Sequence, residues 1–249
     1  MKEDKIERSS VVRKSLGVFM SVILISSPVF AARPLVTDNF RPVEKGKIQI
    51  EAGSYSSAPS NGSSAAGSAA FQVKYGLAGI LDLGLKMPYS FSLPVGFGDG
   101  EVNAKLKLAE YGKNSGLALK ARVKLSNGEA SSALGTGYMD YSATVVYSRE
   151  ISGFRTHYNL GYTLVGVPAG TAAANTVNYS AAMEKEVYPG ADIVLEFFGK
   201  SASSAASKCS AQIGGKWQVD RTYRVDTGYS VDFDNNSQDV ATIGVTFFF

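Results

Sequence analysis

The sequence predicts an all-β protein: a twelve-stranded antiparallel up-and-down transmembrane β-barrel. Three observations predict it. The chain ends Q-D-V-A-T-I-G-V-T-F-F-F, Gln238 to Phe249, with Ala241, Ile243, Val245, Phe247 and Phe249 apolar at every second position. A period of two marks a strand, and a strand this apolar at a free edge would invite aggregation unless a closing partner removes the edge. Similar alternating segments recur along the chain between runs rich in Gly, Ser, Asn and Pro. The N-terminus has the order of an export signal.

That signal occupies residues 1–31. Lys2, Lys5, Arg8, Arg13 and Lys14 precede the apolar run Leu16 to Ile25, and S-S-P-V-F-A follows. A basic start, a short apolar run and small residues at the cut describe a secretory signal peptide. The run is too short to cross a bilayer as a helix. Cleavage is expected after Ala31, which places Val29 rather than Phe30 at the −3 position. Glu3, Asp4 and Glu7 are unusual in such a segment, and a start codon further downstream would remove them. Removing five basic and three acidic residues takes the formal charge from +3 to +1.

Residues 32–45 carry two prolines and no period, and read as an extended periplasmic lead-in. Whether this segment enters the barrel is left open by its pattern. The barrel domain is expected over residues 46–249. Ile48 and Ile50 open the first strand, and Ser54 to Ala70, rich in Ser, Gly and Ala, is expected to be a mobile loop. Phe71, Val73, Tyr75 and Leu77 form the second apolar row, and Leu81, Leu83, Leu85 and Met87 the third, after a turn at Ala78-Gly79. Phe91 to Gly100 reads as a loop. The fourth row is Val102, Ala104, Leu106 and Leu108; across Tyr111 to Ser115 the fifth is Leu117, Leu119, Ala121, Val123 and Leu125. Pairing these rows sets Leu108 against Leu117, Lys105 against Lys120 and Glu101 against Lys124.

Later rows follow the same plan: Tyr141 to Tyr147, Phe154 to Leu164 with a slip at Thr156, Val177 to Met183, Ile193 to Phe197, Ile213 to Val219, Val225 to Phe233, and the terminal strand. Connections alternate in length. The long ones are Ser56 to Gly67, Phe91 to Gly100, Asn127 to Gly137, Val167 to Asn175, Ser201 to Lys208 and Asp234 to Ser237. The others are short, as in outer-membrane barrels, whose periplasmic turns are tight and whose external loops are longer. Aromatics at strand ends (Phe71, Tyr75, Tyr147, Phe154, Tyr162, Tyr179, Tyr229, Phe233) suit interfacial girdles. A soluble lipocalin-like binder, with its apolar face inside, is the fold alternative.

Composition narrows the class further. With 26 glycines and 13 each of Tyr and Phe, the chain is rich in turn and strand formers. A mean hydropathy of −0.01 excludes a many-span helical membrane protein but suits strands that are half apolar. No Lys/Arg block points to nucleic acid. The one cysteine, Cys209, has no partner for an internal disulfide and is expected in a loop or at a strand end; no Cys/His group has zinc spacing, and no metal or cofactor is expected.

If the apolar face meets lipid, the alternate face lines a lumen. The expected lining residues are Asp82, Lys86, Lys105, Lys107, Lys120, Arg122, Lys124, Arg155, His157, Glu184, Glu186 and Glu196. A hydrated basic strip of Lys105, Lys107, Lys120, Arg122 and Lys124 would favour anionic solutes and face Glu184, Glu186 and Glu196; alternatively these charges pair internally and fill a narrow barrel. His157, the one histidine, should point inward beside Arg155, and without a nucleophile and orienting group in reach no catalytic residue is expected. Ile243, Val245, Phe247 and Phe249 are expected to close the barrel and to serve as its assembly signal. A structural or adhesive barrel displaying the 54–70 loop is the other alternative.

R-P-L-V-T-D-N-F at Arg33 to Phe40, G-K-I-Q-I-E-A-G at Gly46 to Gly53 and G-F-G-D-G-E-V-N-A-K-L-K-L at Gly96 to Leu108, with the aromatic last strand, resemble the outer-membrane transporters named for the meta-pathway of phenol degradation. The resemblance implies an outer-membrane barrel and the uptake of small hydrophobic or aromatic compounds; with the basic strip, the expectation is a channel for passive uptake of small aromatic or anionic compounds, and the barrel reading itself makes outer-membrane lipids and the barrel assembly machinery its expected partners.

Overall fold

The computed structural model describes residues 33–59, 66–112, 114–202, 205–233 and 238–249; the expected signal peptide and the junction 234–237 lie outside them. Twelve long strands are present among these residues: β1 (Ile48–Pro59), β2 (Ala66–Ala78), β3 (Leu81–Ser90), β4 (Glu101–Gly112), β5 (Ser115–Lys124), β6 (Asp140–Ile151), β7 (Phe154–Leu164), β8 (Thr176–Tyr188), β9 (Ala191–Ala202), β10 (Ala205–Gln218), β11 (Tyr223–Asp232) and β12 (Gln238–Phe248). A two-residue ribbon, Gly96–Phe97, pairs with the end of β3. Every long strand pairs antiparallel with its sequence neighbours, and β12 pairs back onto β1, from Gln49 opposite Phe248 to Ser57 opposite Val240. Ile48 and Phe249 then exchange both backbone hydrogen bonds, at 3.0 and 2.9 Å. The sheet is a closed barrel.

Alternation dictates what each face does. Outward rows remain exposed and apolar: Leu160 is 61% accessible, Ile193 47% and Ile243 66%. Inward rows are buried and charged, with Asp82, Glu184 and Arg224 each 1% accessible. This is the reverse of a soluble barrel such as a lipocalin. It is the arrangement a bilayer demands, because a closed ladder satisfies every wall amide internally while the exterior meets hydrocarbon.

The described residues of two expected loops are instead part of the wall. Ser54–Pro59 and Ala66–Ala70 continue the first hairpin, with Ser54 opposite Ala69 and Ser56 opposite Gly67. Residues 201–202 and 205–208 likewise lie in strands, with Ala202 opposite Ala205 and Lys200 opposite Lys208. Small side chains on both faces erase the period-two contrast, but ladder bonds are made by the backbone and need no contrast. Cys209, expected at a strand end or in a loop, is an intermediate-exposure residue within β10. In the β4–β5 hairpin, Lys105 meets Lys120 and Glu101 meets Lys124, but a bulge between Lys107 and Ala109 sets Ala109, not Leu108, opposite Leu117. The long connections lie at one end (91–100, 125–139, 165–175) and turns such as Ser152-Gly153 and Pro189-Gly190 at the other.

Candidate functional site

The chain's own residues 33–45 run inside the wall before β1 begins, with Arg33, Leu35, Thr37, Phe40 and Val43 buried against the inward rows and Val36 left 62% accessible. Arg33 comes first. Its guanidinium donates to the Tyr55 hydroxyl, to Thr242 Oγ1 at 2.6 Å and to the Ile243 carbonyl at 3.0 Å, and lies 3.6 Å from Asp226. Gly53 and Gly244, opposite each other on β1 and β12, make room for it, since a Cβ at either position would overlap the guanidinium. The Pro34 carbonyl accepts from Gln212 at 2.9 Å, and Leu35 packs on Ala182 and Val194. Glu196 then clasps the backbone: its carboxylate accepts from Val36 N–H at 3.0 Å and from both the N–H and hydroxyl of Thr37.

Asp38 is the acid that Lys105 and Lys120 of the basic strip meet. Lys105 donates to one of its oxygens at 3.0 Å and Lys120 to the other at 2.8 Å. Like charges set directly opposite repel, so Lys105 and Lys120 need an anion between them, and Asp38 supplies it. With its amide oriented to satisfy both groups, Asn159 bonds the Asp38 N–H and C=O. Two residues on, the Phe40 ring is 1% accessible against Ala118 and Val146, where Gly116 leaves space that a Cβ would fill. Phe40 N–H donates to Ser148 Oγ at 3.2 Å, and Val43 N–H to Asp82 at 2.8 Å.

The opposite wall carries a separate ion cluster. Glu184 lies 2.6 Å from Lys216, 3.2 Å from Arg155 and 3.6 Å from His157 Nε2, and Arg155 reaches Asp192 at 2.6 Å. Burying one of these charges alone would be costly, so they are buried together. His157 Nδ1 sits 2.8 Å from Ser148 Oγ. Ser148, His157 and Glu184 therefore stand in the order of a hydrolytic triad, which sequence reading does not find. Ser148 is fully buried beneath Phe40, however, and Glu184 is shared among three positively charged or protonatable groups. In this arrangement Ser148 has no approach for a substrate carbonyl.

The residues expected along the lumen are distributed as follows. Asp82, Lys105, Lys120 and Glu196 contact the 33–45 segment, while Arg155, His157 and Glu184 form the second cluster. Lys86 and Arg122 flank Glu101 at 3.8 and 3.7 Å, Lys124 bridges Asp99 and Asp140 at 3.4 and 3.1 Å, and Lys107 pairs with Glu110 at 2.7 Å. The acids within ion-pair distance of the basic strip are thus Asp38, Asp99, Glu101, Glu110 and Asp140 rather than Glu184 and Glu196. Glu186 is exposed at the strand end, accepting from Gly190 N–H at 2.9 Å and so holding the turn. Ile243, Val245 and Phe247 lie in the closing strand opposite Ser54, Ala52 and Ile50. Arg33, Thr37, Asp38, Phe40, Lys216 and Asp226 carry no local sequence signal, because their partners are far away along the chain; the inward-row glycines Gly53, Gly116 and Gly244 mark where Arg33 and Phe40 are received.

No family model matches the sequence, and no curated protein matches it. Solved structures do. The NanC porin superposes with a TM-score of 0.63 at 10% identity, over 80% of this chain and 98% of the porin. An outer-membrane channel from Pseudomonas putida F1 gives 0.63 at 14% identity, over 84% and 98% of the two chains. The KdgM porin in complex with oligogalacturonate gives 0.60 at 8%, over 79% and 98%. At such identities the likeness is one of fold, and in fold this chain is similar to outer-membrane channels.

Proposed function

We propose that this protein is an outer-membrane channel for passive uptake of small molecules, exported by residues 1–31 and held closed in the present state by residues 33–45. The observation that carries the reading is the inverted barrel: a continuous apolar exterior around a charged bore. A structural barrel would not need its interior lined by ionised groups matched to a separate, largely non-strand segment. The porin-like neighbours support a channel, and the resemblance to the transporters named for the meta-pathway of phenol degradation is part of the same reading. Aromatic or anionic compounds are the proposed solutes, because Lys105, Lys120, Arg122 and Lys124 share one wall. Outer-membrane lipids surround the barrel, and the assembly machinery reads the terminal Ile243, Val245, Phe247 and Phe249 row. An adhesive role is less well supported, since most of the 54–70 stretch is wall.

Planar-bilayer recording tests this. The chain lacking residues 33–45 is expected to carry steady ion current, and the intact mature chain to stay mostly closed with brief openings. A correctly folded truncated barrel that passes no current would overturn the channel reading.

A further inference from the structure

We infer that Lys105, Lys120 and the apolar slot beside them form a binding site for a small aromatic carboxylate, and that Asp38 and Phe40 occupy it as an internal ligand. The inference rests on the proposed channel for its transport consequence, but not for binding.

The site has two halves. The first is the lysine pair, directly opposite on β4 and β5 and bridged by one carboxylate, each ammonium holding a different oxygen. Charge-assisted bonds of this kind are about twice as strong as neutral ones. Without an anion between them the two ammonium groups repel, so the pair has a standing demand for one carboxylate. The second half is the slot of Gly116, Ala118 and Val146 that encloses the Phe40 ring. Gly116, Ala118 and Lys120 lie on the same inward row, and alternate residues of a strand are about 7 Å apart. A ring joined to a carboxylate by a short alkyl spacer spans that distance and would reproduce what the chain's own Asp38 carboxylate and Phe40 ring do.

Such a compound and the 33–45 segment cannot hold the site together. Ligand affinity is then reduced by the fraction of molecules in which the segment is displaced. By the same coupling, ligand binding weakens the segment's hold on the bore, so the compound that enters is also the one that opens the path.

Calorimetric titration of the full mature chain in detergent micelles with phenylacetate reads the site directly. Asp38→Asn removes the internal carboxylate while keeping its shape, and is expected to bind phenylacetate at least about tenfold more tightly than the wild type. On D38N, acetate and benzyl alcohol, each lacking one half of the ligand, should bind about tenfold more weakly than phenylacetate. Lys105→Met or Lys120→Met in that background should abolish binding. Heat-modifiable migration of the barrel in gels checks that each variant is folded. Phe40→Ala, which empties the slot and leaves the Asp38 clasp, gives a second arm: it should admit benzyl alcohol about tenfold more tightly than the wild type does. Equal phenylacetate affinity in folded wild type and D38N, or benzyl alcohol matching phenylacetate on D38N, would overturn the proposal. A truncated barrel that conducts while D38N ignores phenylacetate would sink the site and leave the channel; binding without conduction would do the reverse.

Discussion

Residues 238–249 close the wall of this barrel and residues 33–45 lie inside it as its proposed plug, and the two are held by different chemistry. The terminal strand is held through backbone ladders on both edges, to β1 and β11. In hydrocarbon an unpaired amide costs several kcal/mol with no water to replace the partner, so this closure has no cheap open state. The 33–45 segment is held by side chains: Glu196 on two amides, two lysines on Asp38, Arg33 against Thr242 and Asp226, and one ring in a slot. Water and solute ions can substitute for most of those partners once they enter. A covalent chain that plugs its own bore by exchangeable contacts is suited to release.

The sharpest way to break that distinction is to remove each closure in turn. Deleting 238–249 should abolish the folded barrel, read as complete loss of heat-modifiable migration and of protease resistance. Deleting 33–45 should leave both intact. Removal of Phe249 alone lies between, reducing insertion by the assembly machinery while leaving single-channel properties of the inserted fraction unchanged. If the bore deletion also prevented folding, the segment would be part of the scaffold rather than a separable plug.

A second test compares the faces instead of the termini. Val145 is 47% accessible on the outward row of β6 and its neighbour Thr144 points inward. Val145→Arg should cost about 2–4 kcal/mol in urea unfolding from lipid vesicles, if it sits near mid-bilayer depth. Thr144→Arg, facing the bore, should cost much less. Equal penalties would contradict the assignment of lipid to the apolar face.

What the sequence makes legible follows from the same contrast. The wall is a local pattern, so alternation from Ile48 to Phe249 is enough to count the strands and to place Phe249 beside β1. It fails where contrast vanishes: Ser54, Ser56, Gly67 and Ala69 are wall residues with side chains too small to mark a face. The plug is not a pattern at all. R-P-L-V-T-D-N-F has no period because its residues answer to several strands rather than one neighbour, Arg33 to β12, Thr37 to β9, Asp38 to β4 and β5, Phe40 to β5 and β6. Lys105 and Lys120 of the basic strip are readable, but the Asp38 that neutralises them lies 67 and 82 residues away, in a segment with no regular structure.

Within the plug, the Glu196 clasp should be the stronger hold on its first half. Glu196→Gln keeps the shape but replaces ionic acceptance by a neutral amide. Hydrogen bonds to a charged group contribute about 1.5–3 kcal/mol against about 1 for neutral ones. Cleavage of the 33–45 segment by added protease should rise several-fold in E196Q while the barrel core remains resistant. An unchanged cleavage rate would mean that Arg33 and Leu35 anchor this half without help from the carboxylate.

The smallest expected effect lies outside the bilayer, in the loops that frame the mouth. Asp99 accepts from Gly128 N–H and Thr136 N–H, both at 2.9 Å, and lies 3.4 Å from Lys124, tying loop 91–100 to loop 125–139. Burial works to raise its carboxyl pKa, but the Thr136 and Gly128 amides and the Lys124 ammonium outweigh it and hold the group below its ordinary value. A carboxyl whose folded pKa is lowered stabilises the folded loops above its unfolded pKa, and that contribution disappears as pH falls through the folded value. Protection of the Gly128 and Thr136 amides from hydrogen exchange, taken relative to Asp99→Asn, should therefore be greatest at neutral pH and converge on the variant in acid. The plug should be unaffected, because none of its contacts passes through Asp99. Should D99N instead release the 33–45 segment, the mouth and the bore would be one coupled gate, and the separation drawn between wall, plug and loops would have to be redrawn around Lys124, which shares a wall with Lys120.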